Sequence, residues 1–300
     1  MTWRELRGAR PERALEVALE QGGVLREGER VLVACSGGPD SVALAALLAG
    51  MRARFRLSLS LAHVNHALRP SAWQDEAVVV SVGAIFDLPV DTVSLAGGRS
   101  DEAALRKARY GALRAIASAR AATAIATGHN AEDQTETLLL ALFRGTGLGG
   151  LRGMPPRRPL ADGVDLARPV LRLERGSLRR YCHRRSLPYA LDPSNASTHH
   201  RRNAVRAALE ALRPAFPGLD SSVARAAEVV RQEVAATRRG TLRRQLRELL
   251  RDAGASTEVS FRHIEAAVMA IERKRSGCFF MSSGVALQVE QGAVAVRRAK

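Results

Sequence analysis

The stretch RVLVACSGGPDSVALAALLAG, Arg30 to Gly50, decides the fold of this chain. An apolar run, Val31 to Ala34, leads into a small polar segment, Ser36 to Ser41, and a second apolar run follows at once. This order predicts a buried strand, a tight loop and a buried helix. Because open α/β sheets bind ligands where strands end and helices begin, the loop is a candidate binding site.

The composition of this SGGPDS loop, Ser36 to Ser41, favours a cradle for phosphate over a plain glycine turn. Gly37 and Gly38 let the backbone approach a ligand closely. Pro39 lies just before the predicted helix, whose N-terminus offers unpaired N–H groups and a partial positive charge. Asp40 would repel a bare anion, so its presence points to a Mg²⁺ ion that bridges to the phosphate. The hydroxyls of Ser36 and Ser41 can add donors.

Three other loop motifs do not match. A Walker A loop requires a lysine that is absent here, and the dinucleotide fingerprint G-x-G-x-x-G is also missing. A nucleophile elbow requires G-x-S-x-G, but Ala34 stands where its first glycine belongs. A serine hydrolase built on Ser36 is therefore disfavoured.

Short β-rich runs alternate with helical patterns through the first two-thirds of the chain, which predicts a parallel sheet covered on both faces by helices, a Rossmann-like α/β fold. The predicted strands are Arg30–Cys35, Leu57–His63, Pro89–Leu95 and Ala122–Gly128. The predicted helices are Ser41–Arg54, Ala72–Phe86, Asp101–Ala119 and Glu132–Arg144. The glycine- and proline-rich segment Arg144–Gly163 is predicted to be a long irregular loop.

Pro214 and Pro217 indicate a domain boundary, so we predict an α/β catalytic domain over residues 1–213 and a small α+β domain over residues 214–300. The second domain is predicted to contain an amphipathic helical stretch over Leu219–Arg251, a helix over Ser260–Arg273 and a β-meander with turns near Ser283-Gly284 and Gln291-Gly292.

The charge balance indicates a polyanionic partner. Lys and Arg number 46 and Asp and Glu 30, a net charge of +16, which favours nucleic acid over a membrane surface; an arginine-rich proteome is the alternative explanation. Neither an apolar run long enough to span a membrane nor a signal peptide is visible. Cys35, Cys182 and Cys278 form no C-x-x-C pair, which argues against a disulfide framework, a zinc site or an iron–sulfur cluster. We expect a reduced, cytoplasmic protein.

The SGGPDS loop resembles the PP-loop of N-type ATP pyrophosphatases, which cleave ATP between the α and β phosphates. Further segments resemble the tRNA(Ile)-lysidine synthetases within that superfamily, from about residue 25 to about residue 213. These segments are HVNHALRPSAWQDE from His63, EAALRKARYGAL from Glu102, GHNAEDQTETLLLALFRGTGLGGLRGMPP from Gly128, RPVL from Arg168, DPSN from Asp192 and RRNAVR from Arg201. The chain ends where longer members of that family carry another domain.

The resemblance implies a two-step ligation on RNA. ATP, with Mg²⁺, would adenylate the C2 carbonyl oxygen of the wobble cytidine in a tRNA(Ile) with a CAU anticodon. The ε-amine of free L-lysine would then displace AMP. Asp40, His129 and Asp133 would be the catalytic residues. Where the family often has His-His-x-Asp-Asp, this chain has Asn130 and Glu132 at the second and fourth positions, which leaves the roles of those two open.

The residues themselves supply candidates for both steps. Glu132, Asp133 and Glu136 lie at the start of a predicted helix, where they could bind the lysine amine or Mg²⁺, or merely complement the helix dipole. Candidates for contacting tRNA or positioning a loop are His63, Asn65, His66, Arg106, Arg109, Arg144, Arg152, Arg202 and Arg206. His63 and His66 lack a third ligand at a suitable spacing, so zinc is disfavoured.

Two other functions remain as alternatives. A tRNA thiolase also adenylates a base, but such enzymes commonly use paired cysteines or a cluster. A non-enzymatic RNA-binding protein would not need the intact SGGPDS loop. A homodimer is compatible with the sequence, which does not decide the oligomeric state.

Overall fold

The computed structural model describes residues 10–21, 23–65, 72–95, 102–161, 163–191, 201–236, 238–254, 261–273, 276–280, 285–290 and 293–298. Contacts divide the chain into two compact units. Unit one comprises Met1–Arg144 and Gly153–Ala226, and unit two comprises Gly145–Arg152 and Ala227–Lys300.

Unit one contains a six-stranded sheet with the order β3-β2-β1-β4-β6-β5, parallel except for the edge strand β5. Its strands are β1 Arg30–Ala34, β2 Ser58–Asn65, β3 Val90–Ser94, β4 Ala124–Thr127, β5 Arg157–Ala161 and β6 Val164–Ala167. In chain order the helices are α1 Pro11–Glu20, α2 Pro39–Met51, α3 Ala72–Phe86, α4 Glu102–Ala119, α5 Ala131–Phe143, α6 Leu148–Leu151, α7 Arg175–Arg184, α8 Arg201–Leu212 and α9 Leu219–Ala236. Of these, α6 belongs to unit two, and α9 begins in unit one and ends in unit two.

Alternating side chains of the central strand reach the two faces of the sheet. Val31 and Val33 join the core on one face, together with the buried stretch Ser41–Leu48 of helix α2. Leu32 joins the core on the other face, where it packs with Leu113 of α4 and Ile125 of β4. Both faces of the sheet are therefore covered, which explains why strand β1 reads as a continuous apolar run.

The strand order places two loops side by side. β1 pairs with β2 on one side and with β4 on the other, and Ala34 lies opposite Thr127 at the carboxyl ends of β1 and β4. The chain leaves β1 toward one edge of the sheet and returns to β4 on the opposite side, which makes this a topological switch point. The loops after Ala34 and after Thr127 consequently meet at one edge.

Unit two combines helices with a small antiparallel sheet. Its further elements are α10 Arg238–Asp252, α11 Phe261–Glu272, β7 Gly277–Phe280, β8 Val285–Glu290 and β9 Ala293–Arg298. The sheet order is β7-β8-β9, and Leu246, Ile264 and Leu287 lie in one apolar core. No helix in the described part of the chain is both long and apolar enough to cross a bilayer.

The predicted fold class is confirmed, and each predicted strand and helix of the first two-thirds corresponds to an observed element. The predicted irregular loop Arg144–Gly163 was wrong in part, because it contains α6 and the strand β5. The predicted amphipathic stretch Leu219–Arg251 corresponds to α9 and α10. The two units divide after Ala226, and the domain boundary at residue 213 stays a prediction. The predicted turns near residues 283–284 and 291–292 lie outside the described residues.

Candidate active site

The SGGPDS loop is held closed by its own hydroxyls. The buried Oγ of Ser41 accepts the backbone N–H of Ser36 at 3.1 Å and donates to the carbonyl of Gly38 at 2.9 Å. Gly37 has a φ of +84°, and a Cβ there would lie 2.9 Å from the backbone oxygen of Asp75. The conformation and the neighbouring helix α3 therefore both require glycine at this position.

The loop after β4 touches the SGGPDS loop through a second glycine. A Cβ on Gly128 would lie 3.0 Å from the carbonyl carbon and oxygen of Asp40 and 3.1 Å from the backbone nitrogen of Ser41. Because these are backbone atoms, they could not move aside without distorting the start of α2. Gly128 thus allows the two loops to approach each other.

Asn130 connects the two loops by its side chain. Its Nδ2 donates to Oδ2 of Asp40 at 2.9 Å, and its Oδ1 accepts the backbone N–H of Asp133 at 3.1 Å. The Oδ2 of Asp133 in turn accepts the backbone N–H of Asn130 at 3.0 Å, which completes a capping box at the start of α5. An amide can donate and accept at once, so the Asn130 side chain joins the Asp40 carboxylate to the backbone of Asp133, while the backbone N–H of Asn130 binds the Asp133 carboxylate.

Asp40 has one engaged and one free carboxylate oxygen. Its Oδ2 is bonded to Asn130 and lies 3.4 Å from Nε of Arg175. Its Oδ1 is buried and has no hydrogen-bond partner among the described residues. Burial raises the pKa of Asp40 to about 6, which the charge of Arg175 only partly offsets and the charge of Asp133 reinforces.

Glu136 is fully buried and bound by two arginines of α8. It accepts from Nε of Arg202 at 2.8 Å and from Nε and Nη2 of Arg206 at 2.8 and 3.1 Å. Burial acts to raise the pKa of Glu136, but the hydrogen bonds from Arg206 and Arg202 outweigh it, so the net shift is downward. This carboxylate therefore joins α5 to α8.

Glu132 caps another helix. Its two carboxylate oxygens accept the backbone N–H of Arg175, the first residue of α7, at 3.0 and 2.9 Å. A carboxylate at that end complements the helix dipole. Burial raises the pKa of Glu132 to about 7, with the contacts to Arg175 acting in the opposite direction.

A cleft of about 570 Å³ opens beside the two loops in unit one. Residues that line it include Ser36, Asp40, Ser41, Arg106, Arg109, Tyr110, His129, Asp133, Arg202 and Arg206. The guanidinium groups of Arg106 and Arg109 lie 5.0 and 5.8 Å from the ring centre of Tyr110. One side of the cleft is thus acidic, and the others carry arginines.

His129 is held in one orientation at the end of β4. Thr127 Oγ1 lies 2.7 Å from Nδ1 of His129 and 3.3 Å from the carbonyl oxygen of Ala167, so it hydrogen-bonds the imidazole and the neighbouring strand together. Burial, together with the charges of Arg168 and Arg202, lowers the pKa of His129 to about 3. The ring is therefore neutral near pH 7.

The structure brings together most of the predicted site residues but not all of them. His63 is buried, and its Nδ1 donates to the carbonyl of Cys35 at 3.1 Å, a contact that fixes the end of β1. Asn65 ends β2, and His66 lies outside the described residues. Arg144 is exposed at the end of α5, and Arg152 belongs to unit two, where its Nε donates to the carbonyl of Gly149 at 3.1 Å.

Sequence reasoning missed Arg175. This side chain lies 3.4 Å from Asp40, 3.5 Å from Asp133 and 3.9 Å from Glu136. The available signal was that Arg175 begins the helix that follows β6, the strand beside β4. That signal becomes informative only once the strand order is known.

The residues present fit a Mg²⁺ ion that arrives with a nucleotide. Asp40 presents a buried oxygen that lacks a partner in the described part of the chain. Within those residues, however, no group of three acidic, histidine or cysteine side chains could hold a metal alone. Mg²⁺ is commonly bound by one or two carboxylates, with phosphate oxygens and water completing its shell.

Comparisons with known proteins agree with this geometry. Residues 10–212 match the model of the PP-loop domain family. The chain is 38% identical over 220 residues to the tRNA(Ile)-lysidine synthase of Symbiobacterium thermophilum, covering 70% of this chain and 45% of that protein. It is 43% identical over 212 residues to the tRNA(Ile)-lysidine synthase of Salinispora tropica, covering 69% and 63%. The chain thus spans about half to under two-thirds of the length of these relatives.

A solved structure shares the fold. The U34-tRNA thiolase NcsA from Methanococcus maripaludis, solved with its [4Fe-4S] cluster, superimposes with a TM-score of 0.63 at 17% identity. The match covers 74% of this chain and 78% of the thiolase. At this identity the likeness concerns the architecture of the sheet and its helices alone.

Proposed function

Since this chain belongs to the PP-loop domain family, we propose that it catalyses ATP-dependent formation of lysidine at the wobble cytidine of a tRNA(Ile) with a CAU anticodon. The observation that carries the proposal is the junction of the SGGPDS loop with the acidic start of α5, through Gly128 and the Asn130 bridge from Asp40 to Asp133. The relatives named tRNA(Ile)-lysidine synthase support this choice of reaction. The substrates are ATP, free L-lysine and tRNA, which places the reaction in the cytoplasm.

In the first step, the C2 carbonyl oxygen of cytidine attacks the α-phosphorus of ATP. A P–O bond forms, and the bond to pyrophosphate breaks. The SGGPDS loop binds the leaving pyrophosphate with its N–H groups and with the first turn of α2. Asp40 would hold Mg²⁺, which neutralises phosphate charge when bound. Such a step depends mainly on positioning and electrostatic stabilisation.

In the second step, the ε-amine of lysine attacks C2. A C–N bond forms, the C2–O bond to AMP breaks, and the amine loses a proton. Of the three acidic candidates on α5, Asp133 is the one that lines the cleft. Glu136 is occupied by Arg202 and Arg206, and Glu132 by the backbone of Arg175. Asp133 is held less tightly, since Arg202 and Arg175 approach its Oδ1 only at 3.4 and 3.5 Å, and we therefore assign the binding of the lysine amine to Asp133.

His129 acts by hydrogen bonding rather than by removing a proton. A pKa near 3 makes its imidazole far too weak a base for an alkylammonium group. Its Nδ1 is hydrogen-bonded to Thr127 and the residue lines the cleft, so Nε2 is the ring nitrogen that would meet a bound substrate. The ring thereby orients substrate in the cleft.

Arginines of α4 and α8 supply the contacts to RNA. Arg106 and Arg109 face the cleft from α4, and Tyr110 between them offers an aromatic ring beside guanidinium groups. Recognition of a single cytidine in RNA commonly uses splayed bases that stack on such groups. Arg202 and Arg206, fixed by Glu136, line another part of the cleft.

One assay tests the whole reaction. The protein is incubated with ATP, Mg²⁺, labelled lysine and unmodified tRNA(Ile), and label retained on RNA is counted. We expect ATP-dependent label on this tRNA and none on a transcript whose wobble cytidine is replaced by uridine. Absence of transfer by folded protein that binds the tRNA would refute the proposal, as would equal labelling of the two transcripts.

A further inference from the structure

The guanidinium of Arg175 lies among the carboxylates of Asp40, Asp133 and Glu136. We call these three carboxylates the acidic cluster. Its distances to them, 3.4, 3.5 and 3.9 Å, exceed the ~2.7–2.9 Å of a close charge-assisted hydrogen bond. Arg175 therefore acts as a charge shared by the cluster rather than as the tight partner of one carboxylate.

The cluster is balanced in charge by protein groups. Among the described residues, Arg175, Arg202 and Arg206 form ion pairs with it at 2.8 to 3.9 Å, so three guanidinium groups face three carboxylates. Arg202 and Arg206 make their short contacts, both at 2.8 Å, with the buried Glu136, and Arg202 also lies 3.4 Å from Asp133. Arg175 is the member of the set that reaches Asp40.

Asp40 nevertheless has one carboxylate oxygen that could bind a further cation. Asn130 and Arg175 both approach its Oδ2, whereas its buried Oδ1 has no hydrogen-bond partner in the described part of the chain. A buried polar atom without a partner is unfavourable unless a ligand reaches it. One oxygen of Asp40 thus anchors the side chain, and the other is available.

We propose that Arg175 is the resident counter-cation of the acidic cluster and makes divalent-cation binding at Asp40 dependent on nucleotide. This inference rests on the proposed use of ATP. A free divalent cation would add charge to a balanced cluster and would be repelled by Arg175. The same ion on a nucleotide arrives with phosphate charge that offsets the repulsion and with oxygens that complete its coordination. Arg175 is a positioning residue, because it sets when the metal binds.

The chain offers a clean variant and a matched control. Arg175→Gln removes the guanidinium but keeps the backbone N–H that Glu132 caps, so the start of α7 is preserved. Arg180→Gln makes the same change in charge on the same helix, at an exposed side chain bonded to Ser177 Oγ. Arg175→Lys keeps the charge and changes the shape.

The experiment titrates Mn²⁺ into the full chain and follows it by EPR, without nucleotide and with α,β-methylene-ATP, which cannot be cleaved between the α and β phosphates. For the wild type and for Arg180→Gln we expect weak binding of Mn²⁺ alone and much tighter binding with the analogue. For Arg175→Gln we expect Mn²⁺ alone to bind on the order of tenfold more tightly, since one repulsive charge is lost. In Arg175→Gln, the factor by which the ATP analogue tightens Mn²⁺ binding should become smaller. Arg175→Lys should bind Mn²⁺ like the wild type, with and without the analogue.

Unchanged Mn²⁺ affinity in Arg175→Gln, with wild-type circular dichroism and melting temperature, would overturn the inference. The same rise in Arg180→Gln would also overturn it, since net charge alone would then explain the effect. If Arg175→Gln binds Mn²⁺ alone more tightly, as expected, but the protein does not transfer lysine to tRNA, the proposed ligation is wrong and the role of Arg175 is retained. If lysine transfer occurs without this change in Mn²⁺ binding, the role of Arg175 fails alone.

Discussion

Replacing Glu136 by glutamine should destabilise unit one by about 3 kcal/mol. The side chain is fully buried, and three hydrogen bonds of 2.8 to 3.1 Å join it to two arginines. Removing one partner of a buried ion pair costs ~3–5 kcal/mol, because the remaining charge is left uncompensated. Arg202 and Arg206 keep 27% and 19% of their side-chain surface exposed, so water can hydrate them in part, which favours the lower end of that range.

Urea unfolding measures this loss. Far-UV circular dichroism follows the unfolding, and hydrogen exchange at the backbone amides of β1 and β4 assigns the loss to unit one. Glu210→Gln serves as a control, because it removes the same charge from an exposed position on α8, where surface changes usually stay within about 0.5 kcal/mol. A loss below ~1 kcal/mol for Glu136→Gln, or an equal loss in the control, would refute the buried-pair argument.

Four further changes test the site. Asp40→Asn should slow formation of AMP and pyrophosphate by on the order of 10²-fold and leave tRNA affinity unchanged in filter binding, since it removes a charge needed only for phosphate chemistry. Gly128→Ala should weaken binding of an ATP analogue in calorimetry, because its Cβ would meet backbone atoms of Asp40 and Ser41 at 3.0 to 3.1 Å, whereas Gly50→Ala, with nothing within 4 Å, should not. Burial raises the pKa of Glu132 from 4.5 to about 7, so between these values the folded state holds a proton that the unfolded chain has lost and stability falls as pH rises. Glu132→Gln should abolish this loss, which amounts to up to ~3 kcal/mol in the free energy of unfolding between pH 5 and pH 8. If the urea midpoints of the variant depend on pH as those of the wild type do, the argument is wrong. Affinity for tRNA should fall steeply with added salt, and a flat dependence would contradict the polyanion interpretation of the net charge.

The fold was predictable where local pattern and burial agree. β1 and β4 are short, buried apolar runs, and both were predicted within two residues of their observed bounds. Strand β5 was not, since Arg157, Arg158 and Pro159 carry none of the apolar alternation that marks a strand. It forms because antiparallel pairing with β6 offers an edge, where proline and charged side chains are tolerated.

The site was predictable where its parts are close in sequence. The residues of the SGGPDS loop lie within six consecutive positions, and the acidic start of α5 lies within a few residues of β4. Both segments follow strands of a parallel sheet, so they were expected at its carboxyl edge, where such sheets bind ligands. Which acidic side chain faces the cleft did not follow, because a helical spacing cannot tell that Arg202 and Arg206 of a distant helix occupy Glu136.

The departure of this chain from the His-His-x-Asp-Asp pattern has a physical reading that sequence alone could not supply. Asn130 donates to Asp40 and accepts from the backbone of Asp133 at the same time. Glu132 accepts the backbone N–H of Arg175 and thereby caps α7. It therefore fixes the helix whose first side chain, Arg175, approaches Asp40. The two substitutions are therefore coupled through the acidic cluster: Asn130 orients Asp40, Glu132 anchors Arg175, and Arg175 lies between Asp40 and Asp133.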